Sequence, residues 1–128
     1  MPTILHFEDD TLLANRYATK FASAGFEYAV YGAPGADPVG IVVKEKPDVI
    51  LMDVVMPDMD GFEATRLIKN DPRTQPIPLL FLTTLGQQEH INRGKALGAV
   101  EYLVKANTAQ DDVIDRVRAA LHALSFAD

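Results

Sequence analysis

The chain has 128 residues, of which 48% are hydrophobic and 23% charged, so it can bury one core of ordinary domain size and is neither disordered, nor a coiled coil, nor a membrane protein. Its 18 acidic residues outnumber 12 basic ones, giving a net charge of −6, which excludes holding nucleic acid by phosphate neutralisation alone. It has no cysteine, which excludes a disulfide scaffold, a thiolate zinc site and a cysteine nucleophile. The start, Met1-Pro2-Thr3-Ile4, has no basic stretch and no apolar run of signal-peptide length, so a cytoplasmic protein is expected.

Strands and helices alternate along the chain. Ile4 to Phe7 is a short apolar run that ends abruptly in Glu8-Asp9-Asp10. Leu13, Tyr17, Phe21 and Ala24 follow at helical spacing, and Gly25 stops that helix. Tyr28 to Tyr31 reads as a second strand. Asp37-Pro38 reads as an N-cap with proline at the first helical position. The helix that follows is weak, because Gly40 and the β-branched Ile41-Val42-Val43 are poor helix formers. It is expected to be short or mobile.

Val49-Ile50-Leu51-Met52 is a continuous apolar run, as in a central parallel strand covered on both faces. Asp53 follows it directly. The turn Pro57-Asp58-Met59-Asp60-Gly61 precedes a helix over residues 62–70. Three prolines, at 72, 76 and 78, mark a loop before the buried strand Leu79-Leu80-Phe81-Leu82, which Thr83-Thr84 closes. A helix over 87–97 stops at Gly98. Glu101 to Val104 is a short strand ending at Lys105, and the last helix carries Val113, Ile114, Val117, Ala120, Leu121 and Leu124 on one stripe. Five β-α units of this kind imply an α/β fold, a doubly wound parallel sheet with helices on both faces.

Glu8-Asp9-Asp10, Asp53, Thr83 and Lys105 each sit at or just past the C-terminal end of a strand. In a doubly wound parallel sheet those ends share one edge, where ligands bind. Clustered carboxylates repel one another unless a cation or proton compensates, and hard oxygens in a small open site suit Mg²⁺. An Asp there can act as nucleophile and form an acyl phosphate, with Lys105 and Thr83 suited to phosphoryl oxygens. Taken singly, a strand-end Asp is a cap or a solvated loop residue and Lys105 a surface lysine. It is the set of four strand ends that argues for a site. No Gly-x-x-x-x-Gly-Lys loop or Gly-x-Gly-x-x-Gly fingerprint is present. A flavin-phosphate loop would want hydroxyls and amides where Glu8-Asp9-Asp10 stands. The Asp-x-Asp of dehalogenase-type phosphatases is missing, because Val54-Val55 follows Asp53.

Over essentially its whole length the chain resembles a receiver domain of a two-component response regulator. The resemblance is carried by Ile4-Leu5-His6-Phe7-Glu8-Asp9-Asp10, by the run from Pro47 through Asp53, Pro57 and Gly61 to Glu63, by Phe81-Leu82-Thr83-Thr84, and by residues Leu97 to Lys105. It implies a five-stranded flavodoxin-like (βα)5 sheet of order 2-1-3-4-5, one receiver domain over 1–128. It implies that Asp53 takes a phosphoryl group from the phosphohistidine of a sensor kinase or histidine phosphotransfer protein. Asp9 and Asp53 would ligate Mg²⁺ through carboxylates, Val55 through its backbone carbonyl, and Glu8 through a water. Lys105 would pair with one phosphoryl oxygen and Thr83 with another. Tyr102 would swing inward, remodelling the face of the fourth helix, fifth strand and fifth helix where partners dock. Such a domain catalyses only its own phosphorylation and dephosphorylation.

Four positions depart from the family pattern. Ala106 stands where proline in a cis bond normally follows the lysine. A cis non-proline bond costs about 2.5–4 kcal/mol, so a trans bond with an altered loop, or a strained site, is expected. His6 replaces an aliphatic residue and reads as a buried histidine, hydrogen-bonded or neutral; a pH-sensitive role is the lesser alternative. Thr84 is larger than usual after the switch threonine and would narrow access, and the second helix is poor. Val55 and Leu85 are apolar where the family tunes phosphate lifetime, so slow self-dephosphorylation is expected. The last helix ends within a few residues of Asp128, so the expectation is a stand-alone receiver signalling to a downstream effector in trans, with no direct nucleic-acid contact and no membrane insertion. A binding module that works without phosphorylation and a free-standing phosphatase are the alternatives.

Overall fold

The computed structural model describes residues 1–126, with side chains through Ala123. The element order is β1 (Thr3–Phe7), α1 (Thr11–Ser23), β2 (Glu27–Tyr31), α2 (Pro38–Glu45), β3 (Val49–Met52), α3 (Gly61–Lys69), β4 (Leu79–Thr83), α4 (Gln88–Ala96), β5 (Glu101–Val104) and α5 (Gln110–Phe126). All strand pairs are parallel, in the order β2-β1-β3-β4-β5. This is the expected order, with the strand sequence reversing between β1 and β3.

Strand alternation divides the core in two. Ile4, Val49, Leu51, Leu80, Leu82 and Leu103 face the layer with α1 and α5, where they meet Tyr17, Phe21, Val113 and Val117. Leu5, Phe7, Ile50, Met52, Leu79, Phe81 and Tyr102 face the other layer, against Val42, Phe62 and Ile68. The central strands are buried on both sides, which is why they read as unbroken apolar runs. Each fully buried Leu, Ile or Phe contributes about 1.5–3 kcal/mol by leaving water.

Caps fix where the helices begin. The side chains of Asp10, Asp37 and Asp60 accept from the backbone N–H of Leu13, Gly40 and Glu63, at the starts of α1, α2 and α3. Such a cap stabilises a helix by about 1 kcal/mol. The unpromising α2 forms as an eight-residue helix, because the Asp37 cap and Pro38 start it and buried Val42 anchors it. It ends at Lys46, a non-glycine residue held at φ 51°. Gly25 and Gly98, at φ 91° and 105°, end α1 and α4. The last helix buries Val113, Ile114 and Val117 as the stripe predicts, with Ala120 and Leu121 against the same core. The side chain of Leu124 lies outside the described residues.

Candidate functional site

The four strand ends do meet at one edge of the sheet. Glu8, just past β1, is 2% exposed, and Asp53, just past β3, is 5% exposed. Asp9 turns outward and is exposed. Carboxylate oxygens of these three residues lie within 4.8 Å of one another. The acidic triplet thus divides its work. Asp10 leaves the cluster to cap α1, while its backbone N–H donates to Glu8 Oε2 at 3.0 Å and holds that carboxylate in the turn.

Lys105 lies between two of the acids. Its Nζ is 2.6 Å from Glu8 Oε1 and donates to Asp53 Oδ2 at 3.0 Å. The other Asp53 oxygen, Oδ1, accepts from the N–H of Val54 at 2.7 Å. Three carboxylates against one ammonium leave two surplus negative charges, and the donor set is entirely hard oxygen. That is the chemistry of a Mg²⁺ site, and the residues fit it. Burial pushes the Glu8 pKa up, against the pull of Lys105 and of the Asp10 N–H. Burial alone would lower the Lys105 pKa, but Glu8 and Asp53 outweigh it and hold the ammonium charged.

The loop that follows Asp53 is built tightly. Asp53 N–H donates to the Phe7 carbonyl at 3.1 Å, and Gly61 N–H donates to the Val54 carbonyl at 2.8 Å. A β-carbon on Gly61 would stand 1.8 Å from the Asp53 carbonyl oxygen, so a side chain there would displace the backbone of Asp53 itself. Asp58 crosses this loop at φ 72°. Val55, two residues past Asp53, is 60% exposed on the rim.

Thr83 ends β4 fully buried, with its hydroxyl accepting from Leu85 N–H at 3.3 Å. Tyr102 already lies inward. Its ring packs on Phe81, and its hydroxyl donates to the Leu85 carbonyl at 2.7 Å. Gly94 of α4 makes this possible, because a β-carbon there would stand 2.6 Å from Tyr102 Cδ2. The Lys105–Ala106 peptide bond is trans, like every peptide bond among the described residues. The loop turns through a 3₁₀ segment, Lys105–Asn107, that the sequence pattern does not announce, and the Thr108 hydroxyl donates back to the Val104 carbonyl at 2.9 Å.

His6 is fully buried. Its Nδ1 is 2.6 Å from the Tyr28 hydroxyl. Burial, aided by the charge on Lys105, pushes its pKa down to about 3, so the ring is neutral at ordinary pH. The structure therefore satisfies both parts of the expectation for this residue.

The comparisons agree with this fold. The family model described as "Response regulator receiver domain" matches residues 4–118. The chain belongs to that family, the receiver domains of two-component response regulators. Among curated relatives, it is 35% identical over 123 residues to the "DNA-binding dual master transcriptional regulator RpaA" of Synechocystis, covering 94% of this chain and 49% of that protein. It is 46% identical over 71 residues to "Protein PilH" of Pseudomonas aeruginosa, covering 56% of this chain and 59% of that one. The chain thus spans about half the length of these relatives. A solved structure of a putative response regulator from Chloroflexus aurantiacus superposes with a TM-score of 0.85 at 28% identity, covering 95% of this chain and 99% of that one. A CheY-like receiver domain from Methanospirillum hungatei reaches a TM-score of 0.90 at 18% identity, covering 100% and 99%, and supports the fold alone. Receiver domains of this family interact with histidine kinases and downstream effectors. Among the described residues, no helix is long and apolar enough to cross a membrane.

Proposed function

We propose that this chain is a phosphate-accepting receiver in which Asp53 is the acceptor. The observation that carries the reading is Lys105, whose ammonium contacts the carboxylates of Asp53 and Glu8 at the edge where Asp9 also lies. An Asp53 oxygen attacks the phosphorus of a phosphohistidine. The P–N bond breaks, the imidazole leaves with the electron pair and takes up a proton, and an acyl phosphate forms on Asp53. Lys105, already at Oδ2, follows the developing charge onto a phosphoryl oxygen. Thr83 turns its hydroxyl from Leu85 N–H toward another oxygen. Asp9, Asp53 and the Val55 carbonyl would hold a Mg²⁺ ion, with Glu8 behind a bound water, and the ion would supply charge neutralisation for the phosphoryl oxygens.

The phosphate adds about −1.5 to −2 charge and three strong acceptors. The Tyr102–Leu85 contact ties this change to the α4-β5-α5 face, which would present it to a protein effector in trans. The donor would be a sensor histidine kinase or a histidine phosphotransfer protein, in the cytoplasm, with the chain acting as one receiver domain over 1–128.

Incubation with acetyl phosphate and Mg²⁺ tests this. The expected product is one acid-stable, base-labile phosphate that Asp53→Asn abolishes. No adduct would favour a binding module, and turnover of unrelated phosphomonoesters would favour a phosphatase.

A further inference from the structure

We propose that His6, backed by Tyr28, is a positioning residue for Glu8, holding that carboxylate when Lys105 moves to the phosphoryl group. The proposal deepens the reading of Asp53 as acceptor and rests on it.

The other interior residues of β1, Ile4, Leu5 and Phe7, are apolar, and an imidazole among them must make its hydrogen bonds inside the protein. One nitrogen does, because Nδ1 meets the Tyr28 hydroxyl at 2.6 Å from the neighbouring strand. The other, Nε2, has no hydrogen-bond partner and stands 3.9 Å from Glu8 Oε1. That oxygen is itself buried without a well-directed hydrogen bond, although Lys105 Nζ lies beside it as an ion pair. Two buried polar atoms of complementary kind thus face each other across a gap about 1 Å longer than a normal N–H···O⁻ bond.

The ring is held in this attitude. Tyr17 and Tyr28 both meet it edge-on, at centroid distances of 5.7 and 5.8 Å and interplanar angles of 82° and 76°. The carboxylate then selects the tautomer. A lone pair on Nε2 would face a negative oxygen, whereas an N–H there is attracted to it. The proton therefore sits on Nε2, and Nδ1 accepts from the Tyr28 hydroxyl. The relay runs from Tyr28 O–H to His6 Nδ1, and from His6 Nε2–H toward Glu8 Oε1.

With Lys105 on Glu8 the gap stays open. Once Lys105 is drawn to a phosphoryl oxygen, Glu8 would be a buried carboxylate without its cation. Closing on Nε2–H keeps it placed to hold a metal-bound water. A leucine at position 6 would fill the space and donate nothing.

Long-range ¹H–¹⁵N correlation on the native chain at neutral pH tests the tautomer. The expected result is a protonated Nε2 and a lone pair on Nδ1, with the Nε2 proton moving downfield when Mg²⁺ and beryllofluoride are added. Calorimetric titration with Mg²⁺ in the presence of beryllofluoride, which draws Lys105 away from Glu8, tests the consequence. His6→Leu and Tyr28→Phe are each expected to weaken Mg²⁺ binding about tenfold while keeping the native circular dichroism. A proton on Nδ1, or unchanged Mg²⁺ affinity in folded His6→Leu, would overturn the proposal. If a variant does not fold, the tautomer of the native chain decides. Failure of the acceptor reading would show separately, as the absence of an Asp53 adduct in the native protein.

Discussion

Acidification should destabilise this protein through His6 alone by an amount that can be worked out in advance. In the folded chain the ring stays neutral down to about pH 3, because burial and then the Lys105 charge oppose protonation. In the unfolded chain the same imidazole takes a proton near pH 6.5. Between those values the unfolded state binds the extra proton, so stability falls as pH falls. A pH of 5 lies about 1.5 units below the pKa of the unfolded imidazole, and at about 1.36 kcal/mol per unit the loss is about 2 kcal/mol relative to pH 7. The figure depends on the unfolded value, since pH 5 is well above the folded one. Urea unfolding at pH 7, 6 and 5 on the native chain and on His6→Leu measures it, and the difference between the two cancels the titrations they share. The native chain is expected to lose about 2 kcal/mol more than the variant across that window. Parallel pH profiles would refute the reasoning and show that the folded state accommodates a protonated His6.

The other predictions concern the switch and the phosphate. Gly94→Ala would place a β-carbon 2.6 Å from Tyr102 Cδ2 and 3.0 Å from Phe81 Cδ2. The Tyr102 ring should move outward and lose its bond to the Leu85 carbonyl, making it reactive toward tetranitromethane; unchanged reactivity would count against the packing argument. Leu85→Glu puts a carboxylate two residues past Thr83, where it can orient water, and should shorten the phosphate lifetime about tenfold, within the reach of a positioned base. Acid-quenched decay of the labelled adduct measures this, and a native lifetime already as short as the variant's would contradict slow self-dephosphorylation.

What the sequence made legible was local or periodic. Asp37-Pro38 announces the start of α2, and the apolar runs at Val49–Met52 and Leu79–Leu82 announce central strands. Strand parity then places Glu8, Asp53, Thr83 and Lys105 at one edge without any knowledge of distances. What stayed hidden depends on atoms from distant segments. Gly61 reads as the end of a turn and Gly94 as an ordinary helix residue, until the Asp53 carbonyl and the Tyr102 ring are found where their β-carbons would be. His6 reads as a buried histidine, but its partner Tyr28 lies 22 residues away on the next strand. Lys105 can be assigned to the site from its strand end, but its contact with both Glu8 and Asp53 is seen only in the folded chain, where segments far apart in sequence meet. Asp10 carries a cap signal in the sequence and could have been separated from the acidic cluster on that ground alone.

The position of Lys105 has a consequence for selectivity. Its ammonium is tethered to the carboxylates that a divalent ion would use, so any cation entering from solution competes with an internal one. The effective concentration of such a tethered competitor is on the order of millimolar or above. Monovalent ions have little to offer against it, while a divalent ion of small radius gains from all three acids at once. A phosphoryl group on Asp53 would change the balance by giving the lysine a better place to go. The same residue would then set a threshold for cation entry at rest and release the site for tighter binding after transfer.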